Sequence, residues 1–358
     1  MPTIEEKITD VEEEIKKTPY NKASQHHIGK LKAKLSRLKD EHLSSGKGRG
    51  AGKGYAVKKT GDATVVLVGF PSVGKSSLLN LLTNAESKVG AYEFTTLDTV
   101  PGVMKYCGAT IQLLDVPGLV KGASEGKGRG KEVLAVVRAA DLVLMVVDAQ
   151  KIEQVELIKK EVYAGGIRLN QKPPDVKITK KSMGGVTLSK VSKQSFDLED
   201  VRNVFNEYGY HNVHIRMRGK LTFEELIDVA ARNRIYIPGI FVINKTDLAK
   251  DAKKAKDSIL VSATEQKGIE ELRKEIYKRL DFIRIYMKPQ GKKADYDEPL
   301  IIKNGSRIED VCRTLHKDFV KGFRYATLSG PSAKFDEQKV GIKHKLRDED
   351  VLTLIIKD

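Results

Sequence analysis

Residues 64–76 read TVVLV-GFPSVGKS, and SLLNLLT continues to residue 83. The first five residues form a short apolar, β-branched run of the kind that makes a buried strand. The last seven carry leucines at helical spacing. Between them, Gly69-Phe70-Pro71-Ser72-Val73-Gly74-Lys75-Ser76 satisfies G-x-x-x-x-G-K-[ST]. A glycine-rich turn between a strand and a helix lets backbone N–H groups converge on an anion, and the positive end of the helix dipole adds to the attraction. Lys75 then supplies a point charge between β- and γ-phosphates, and the Ser76 hydroxyl is suited to a Mg²⁺ ion.

Three further stretches fall into line with this loop. Asp115-Val116-Pro117-Gly118 ends the strand-like IQLLD. The carboxylate there can hold Mg²⁺ through water, while the Gly118 N–H can sense a γ-phosphate. Asn244-Lys245-Thr246-Asp247 follows FVI, and Asp247 can accept hydrogen bonds from the N1–H and 2-amino group of guanine. Adenine presents neither donor, so such a site discriminates strongly against it. Asn244 is suited to bracing the loop and the Lys245 stem to covering the base; Ser262-Ala263-Thr264 fits a loop whose backbone N–H meets guanine O6. Phe94-Thr95-Thr96-Leu97 lies between the first two motifs, and Thr96, with Thr95 as the alternative, is the candidate hydroxyl on the metal.

Working outward, strands expected at 64–68, 111–114, 142–147, 239–243 and 258–261 alternate with helices, the last near 268–280. Continuous apolar strands of this kind belong to a parallel sheet covered on both faces. The expected class is therefore α/β, with a mostly parallel sheet over residues 63–164 and 237–288. About ninety residues separate the third strand from the fourth, far more than a crossover helix needs. Their pieces VKITK, VTLSKV, NVHIRM, LEDVRNVFNEY and FEELIDVA read as an inserted α+β domain at 165–236. Ahead of the sheet, Ile4, Ile8, Val11 and Ile15, then Ile28, Leu31, Leu35 and Leu38, mark an antiparallel helical pair over 1–43. A basic, glycine-rich linker spans 44–62, and a small strand–helix–strand domain is expected at 290–358.

The net charge of +16, from 64 basic and 48 acidic residues, favours polyanionic partners. The concentration of Lys and Arg from Lys30 to Lys59 is the leading candidate for RNA, with a solvated linker as its competitor. No apolar run approaches the length of a membrane helix, and the acidic start (Glu5, Glu6, Asp10, Glu12) is unlike a targeting peptide, so a cytoplasmic location is expected. Cys107 and Cys312 lack a CxxC partner and read as buried apolar filler. His211 and His214 fall on opposite faces of a strand without a third ligand, and Tyr208 and Tyr210 read as core aromatics rather than base-stacking platforms.

The run GFPSVGKSSLLN, then FTTL, DVPGLVKGASEGKGRG and NKTD, resembles the Obg superfamily of GTPases, and within it the developmentally regulated GTP-binding protein branch. The resemblance covers essentially the whole chain. It implies a P-loop NTPase domain, an insertion like domain 2 of ribosomal protein S5, and a C-terminal β-grasp (TGS) domain. It also implies GTP hydrolysis with Mg²⁺, association with the ribosome or structured RNA, a role in translation and a stimulating protein partner. The nucleotide set is then Pro71, Ser72, Val73, Gly74, Lys75, Ser76, Ser77, Asp115, Gly118, Asn244, Lys245, Asp247, Leu248, Ser262, Ala263 and Thr264. Lys75, Thr96 and Gly118 would serve catalysis, and Ser76, Thr96 and Asp115 the metal. An ATPase like the YchF branch is disfavoured by Asp247. A ribosome-bound scaffold that holds guanine nucleotide with negligible hydrolysis is the alternative.

Two departures matter. Serine at 72 stands where several such GTPases use an asparagine to help bind K⁺; it keeps an oxygen but shortens the reach, so K⁺ activation is an open expectation that KCl against NaCl decides. Leu119 stands where Ras-like proteins place the glutamine that orients the attacking water, and 122–130 is the candidate switch segment. Leucine has no hydrogen-bonding group. Single-turnover hydrolysis by the isolated protein is therefore expected on the order of 10⁻⁴ to 10⁻² s⁻¹; a rate near ~1 s⁻¹ without any partner contradicts this.

Overall fold

Short apolar strands and amphipathic helices alternate in the computed structural model, which describes residues 2–19, 21, 24–44, 61–83, 100–116, 130–249 and 257–357. The expectations for Phe94–Leu97 (with Thr95 and Thr96), Gly118, Leu119, residues 122–129 and the linker over 45–60 lie outside the described residues. In chain order, helices α1 (Ile4–Lys17) and α2 (Gln25–Ser44) precede β1 (Ala63–Val68), α3 (Lys75–Leu82), β2 (Val100–Tyr106) and β3 (Ala109–Asp115). Next come α4 (Gly130–Ala139), β4 (Leu142–Asp148), α5 (Gln154–Ala164) and β5 (Ile167–Leu169). β6 (Val176–Lys180), β7 (Val186–Lys190), α6 (Leu198–Glu207), β8 (Val213–Met217), α7 (Phe223–Ala231) and β9 (Ile235–Ile237) follow. β10 (Gly239–Asn244), β11 (Ser258–Leu260), α8 (Ile269–Leu280) and β12 (Phe282–Met287) lead to the C-terminal part. That part holds β13 (Leu300–Lys303), α9 (Ile308–Leu315), α10 (Lys317–Gly322), β14 (Phe323–Ser329), β15 (Gln338–Val340) and β16 (Asp350–Ile356). The chain divides into two compact units, one built on β1–β4 and β10–β16, the other on α1, α2 and β5–β9.

The first unit centres on a six-stranded sheet of order β11-β10-β4-β1-β3-β2. Every pairing is parallel except β2 with β3. β1 and β4 are buried along their whole length, as a sheet covered on both faces requires. Leu78, Leu79 and Leu82 of α3 and Leu272 and Ile276 of α8 pack in the same core. Chain connections leave β1 towards β3 but leave β4 towards β10, so the sheet's order reverses between β1 and β4. Ligands of open parallel sheets bind at such a point, beyond the carboxyl ends of the strands.

The edge strand β2 was not anticipated. Its Pro101 and Gly102 disguise it, and an edge is where a strand tolerates proline. The β2–β3 turn also corrects the reading of the cysteines. Cys312 is buried, but Cys107 is exposed at φ 48 and followed by Gly108 at φ 81, the two left-handed positions of a tight hairpin turn. A second correction concerns the C-terminal sheet, of order β13-β12-β16-β14-β15. β12 belongs to it, so the boundary expected at 290 falls earlier. The alternation in FIRIYM buries Ile283 and Ile285 with Ile308, Val311, Cys312 and Leu352, while Arg284 meets Asp348 at 2.7 Å.

In the second unit, α1 opens with a capping box in which Thr3 and Glu6 exchange hydrogen bonds. The α1 and α2 stripes meet through Val11, Leu31 and Leu38, and the pairs Glu14–His27, Glu12–Lys39 and Glu5–His42 fix an antiparallel order. A three-stranded sheet, β6-β8-β7, is covered on one face by α6 and α7, and Ala33 of α2 joins that core. A buried ionic network that the sequence did not announce ties these pieces together. The Asp228 carboxylate accepts two bonds from Arg168, each 2.6 Å, and one from Arg234 at 2.9 Å; Arg234 also reaches Asp40 of α2 at 2.7 Å. Removing Asp228 would leave the buried Arg168 guanidinium without a carboxylate and Arg234 with Asp40 alone. Asp228→Ala should therefore lower unfolding stability by about 3–5 kcal/mol, read as a lower midpoint in denaturant; a loss under ~1 kcal/mol would show the network to be dispensable.

Candidate nucleotide-binding site

The carboxyl ends of β1, β3, β4 and β10 lie side by side, with Leu67 opposite Asp115 and Asn244 opposite Asp148. The loops leaving these ends carry the motifs. Gly69 cannot be larger, since a Cβ there would come within 2.3 Å of the Val146 carbonyl oxygen. Gly74 sits at φ 90, and a Cβ would press to 2.4 Å from Asn244 Nδ2. Both glycines are thus fixed by close approach as well as by the turn. Ser72 also takes a left-handed conformation, φ 62.

Lys75 starts α3 and folds back over the loop, its ammonium donating to the Gly69 and Phe70 carbonyls at 3.4 and 3.3 Å. Burial pushes its pKa below the ordinary lysine value, with the Asp115 carboxylate pulling the other way. Ser76 Oγ donates to Asp115 Oδ2 at 2.7 Å, while Asp115 Oδ1 is buried without a hydrogen-bond partner among the described residues. A serine hydroxyl beside a carboxylate with one unsatisfied oxygen suits a hard divalent cation, so the donor set fits Mg²⁺.

Asn244, at the end of β10 and 1% exposed, joins the motifs. Its Nδ2 donates to the Val73 carbonyl at 2.9 Å, and its Oδ1 accepts from Ala263 N–H at 3.1 Å. One amide therefore binds the phosphate loop to the loop after β11. Asp247 is exposed, and Ser262 Oγ donates to its Oδ1 at 2.6 Å, orienting the carboxylate. Lys245, at φ 62, stretches its ammonium to the Ser72 carbonyl at 2.7 Å and to Asp148 Oδ2 at 2.8 Å. Burial pushes Asp148 up, but the Lys245 ammonium and the Gln150 N–H together outweigh it and hold the carboxyl below its usual range. Gln150 reaches the Leu248 carbonyl at 3.2 Å. Pro71, Ser77 and Thr264 are exposed beside these groups in sequence.

Sequence reading missed Asp148. The signal was there: LVLMVVD ends on a carboxylate in register with Asn244, next to a lysine that needs a counter-charge. The structure also narrows the role of Ser262-Ala263-Thr264. Ser262 N–H is taken by the Lys267 carbonyl and Ala263 N–H by Asn244.

Outside this site the other candidates resolve into packing. Tyr208 donates to Ser36 Oγ at 3.0 Å, its pKa pushed up to about 12 by burial, and Tyr210 packs on Phe205. His214 contacts Thr187 and Ser189, and His211 lies outside β8 near Asn206; neither joins a metal-ligating cluster among the described residues. Within the described part of the basic N-terminal stretch, Lys32, Arg37 and Lys39 meet Glu224, Glu41 with Glu207, and Glu12.

A phosphate-binding loop at a sheet's reversal point, clamped to an NKTD loop, defines a P-loop guanine-nucleotide-binding protein. Comparisons with known proteins agree. A family model described as 50S ribosome-binding GTPase matches residues 64–180, and one for the C-terminal region of that domain matches 183–282. A TGS domain model matches 283–356, taking in β12. An uncharacterised GTP-binding protein of Methanocaldococcus jannaschii is 54% identical, over 99% of this chain and 93% of its own. Developmentally-regulated GTP-binding protein 1 of Xenopus laevis is 43% identical, over 98% of both chains. Ribosome-interacting GTPase 1 of Saccharomyces cerevisiae is 42% identical over the full length of both. The chain belongs to the developmentally regulated GTP-binding protein family.

Asn244→Asp keeps the acceptor for Ala263 but replaces the donor to Val73 with an oxygen facing a carbonyl. Affinity for GTP should fall at least about tenfold and stability by roughly 1–3 kcal/mol. Calorimetric titration and thermal melts check this, and wild-type affinity in the variant would remove Asn244 from its bracing role.

Proposed function

We propose that this protein hydrolyses GTP to GDP and phosphate with Mg²⁺, in the cytoplasm, as a switch associated with the ribosome in translation. The observation that carries the reading is the Asn244 amide, which holds the phosphate loop and the purine-reading loop in one frame. Lys75 would leave its own loop carbonyls for the β- and γ-phosphate oxygens, where its charge offsets the negative charge of the phosphate tail. Asp247 would accept from the guanine N1–H and 2-amino group, with Ser262 fixing its rotation. The Thr264 N–H would meet O6, since the N–H groups of Ser262 and Ala263 are committed. Ser76 and Asp115 would hold the ion, with Thr96 as a further ligand and the Gly118 N–H on the γ-phosphate. Bound there, Mg²⁺ supplies neutralisation of charge on the β- and γ-oxygens. Lys245 is better read as a strut between Ser72 and Asp148 whose stem passes over the base.

No helix among the described residues is long and apolar enough to cross a membrane. Ribosome association rests on the relative named for it and on the matching family description.

Leu119 favours one competing reading, a ribosome-bound scaffold with negligible hydrolysis. Phosphate release with and without ribosomes separates the two. The switch reading expects a slow basal rate and a stimulation of at least about 10³-fold, the scale that a supplied catalytic group brings to related GTPases. A negligible basal rate with no stimulation would establish the scaffold instead.

A further inference from the structure

The cations of this protein are, in many places, matched by carboxylates: Arg168 and Arg234 by Asp228, Arg279 by Glu275 and Asp257, and Arg284 by Asp348. One face of the second unit departs from this habit. In the β6-β8-β7 sheet, alternate residues Val176, Ile178, Val186, Leu188, Val213, Ile215 and Met217 pack towards α6 and α7. The period of a strand sends the intervening residues to the opposite face. Register sets Lys177 opposite Arg216 and Arg216 opposite Ser189. One step along, Thr179 stands opposite His214, and His214 opposite Thr187.

These six outward positions hold two permanent cations, three hydroxyls and an imidazole, and no carboxylate. Lys181, just past β6, extends the row and donates to Thr187 Oγ1 at 2.9 Å. Arg218, just past β8, extends it at the other end, its N–H donating to the Asp175 carbonyl at 3.0 Å. Lys177, Arg216 and Arg218 are exposed and form no ion pair among the described residues. Such a face, about 10 Å across its three strands and about 16 Å along them, attracts a polyanion.

The composition of the face also selects the kind of polyanion. Single-stranded nucleic acid is gripped through aromatic platforms on which bases stack. Here the outward positions offer no Phe, Tyr or Trp, and the His214 ring nitrogens already meet Thr187 and Ser189 at 3.0 and 3.3 Å. Cations interleaved with small hydroxyls suit phosphate oxygens and 2′-hydroxyls, the groups that double-helical RNA displays across its shallow minor groove. We infer that the open face of β6-β8-β7 binds structured RNA through its sugar–phosphate backbone, with Lys177 and Arg216 on phosphates. The inference rests on the ribosome-associated reading above and assigns that contact to a surface. Recognition there is blind to base sequence.

The test uses the full chain and a fluorescein-labelled RNA hairpin with a stem of about 16 base pairs, followed by anisotropy through a KCl series. Lys177→Ala/Arg216→Ala should weaken binding at least about tenfold and reduce the slope of log K against log[KCl] by about two. Lys177→Arg/Arg216→Lys should retain affinity and slope, and a hairpin of scrambled sequence should bind as well as the first. Neither side chain has a hydrogen-bond or ion-pair partner among the described residues, so melting temperature and RNA-free GTP hydrolysis should be unchanged. If the wild type binds and the double alanine variant binds equally, this face is not the RNA surface. Failure of the wild type to bind any hairpin would instead sink the RNA reading itself. Displacement of the hairpin by polyglutamate at equal charge concentration would point to an acidic protein and overturn the assignment.

Discussion

The site depends on a single carboxamide. Asn244 is buried at the end of β10, where its two functional atoms face in different directions: one to a carbonyl in the phosphate loop, the other to an N–H after β11. A buried amide with both ends satisfied is rigid, and leaving either end unpaired would carry a desolvation penalty of roughly 1–3 kcal/mol. Three loops from three strands therefore share one geometry. Gly74 follows from this clamp, because the Asn244 side chain occupies the space that a Cβ would need.

Charge around the clamp is arranged by burial and reach. Lys75 is partly desolvated and rests on carbonyls of its own loop, so its charge is available to an arriving phosphate. Asp115 keeps one oxygen on Ser76 and one with no donor among the described residues, an arrangement that suits a carboxylate beside a cation. Lys245 and Asp148 neutralise each other across two strand ends and draw the Ser72 carbonyl into the same strut. In the other unit, a different logic operates: Asp228 gathers Arg168 and Arg234, and Lys177 and Arg216 of the open sheet face have no such partner among the described residues.

Much of this was legible because the motifs and the strands announce each other. TVVLV before the glycine loop, IQLLD before Asp115 and FVI before Asn244 each combine a buried apolar run with polar residues at its carboxyl end. Elements with mixed signals were lost. β2 contains Pro101 and Gly102, β12 follows α8 without a breaker long enough to mark a boundary, and Cys107 turned out to occupy a hairpin turn rather than a core. Asp148 and the Asp228 network were missed for a deeper reason: an ion pair between residues 97 or 60 positions apart leaves no local pattern, and only the register of the folded sheet brings it together.

Guanine specificity at this site turns on which atoms read the purine. Equilibrium titration of the wild type and of Asp247→Asn with GTP, ATP and XTP tests this most directly. The amide of asparagine offers a donor where the carboxylate offers only acceptors, and xanthine carries an oxygen where guanine carries the 2-amino group. The wild type should prefer GTP over both others by about 10⁴-fold, and the variant should lose GTP and gain XTP. Equal affinity of the wild type for ATP, or unchanged GTP binding in the variant, would contradict the assignment of Asp247.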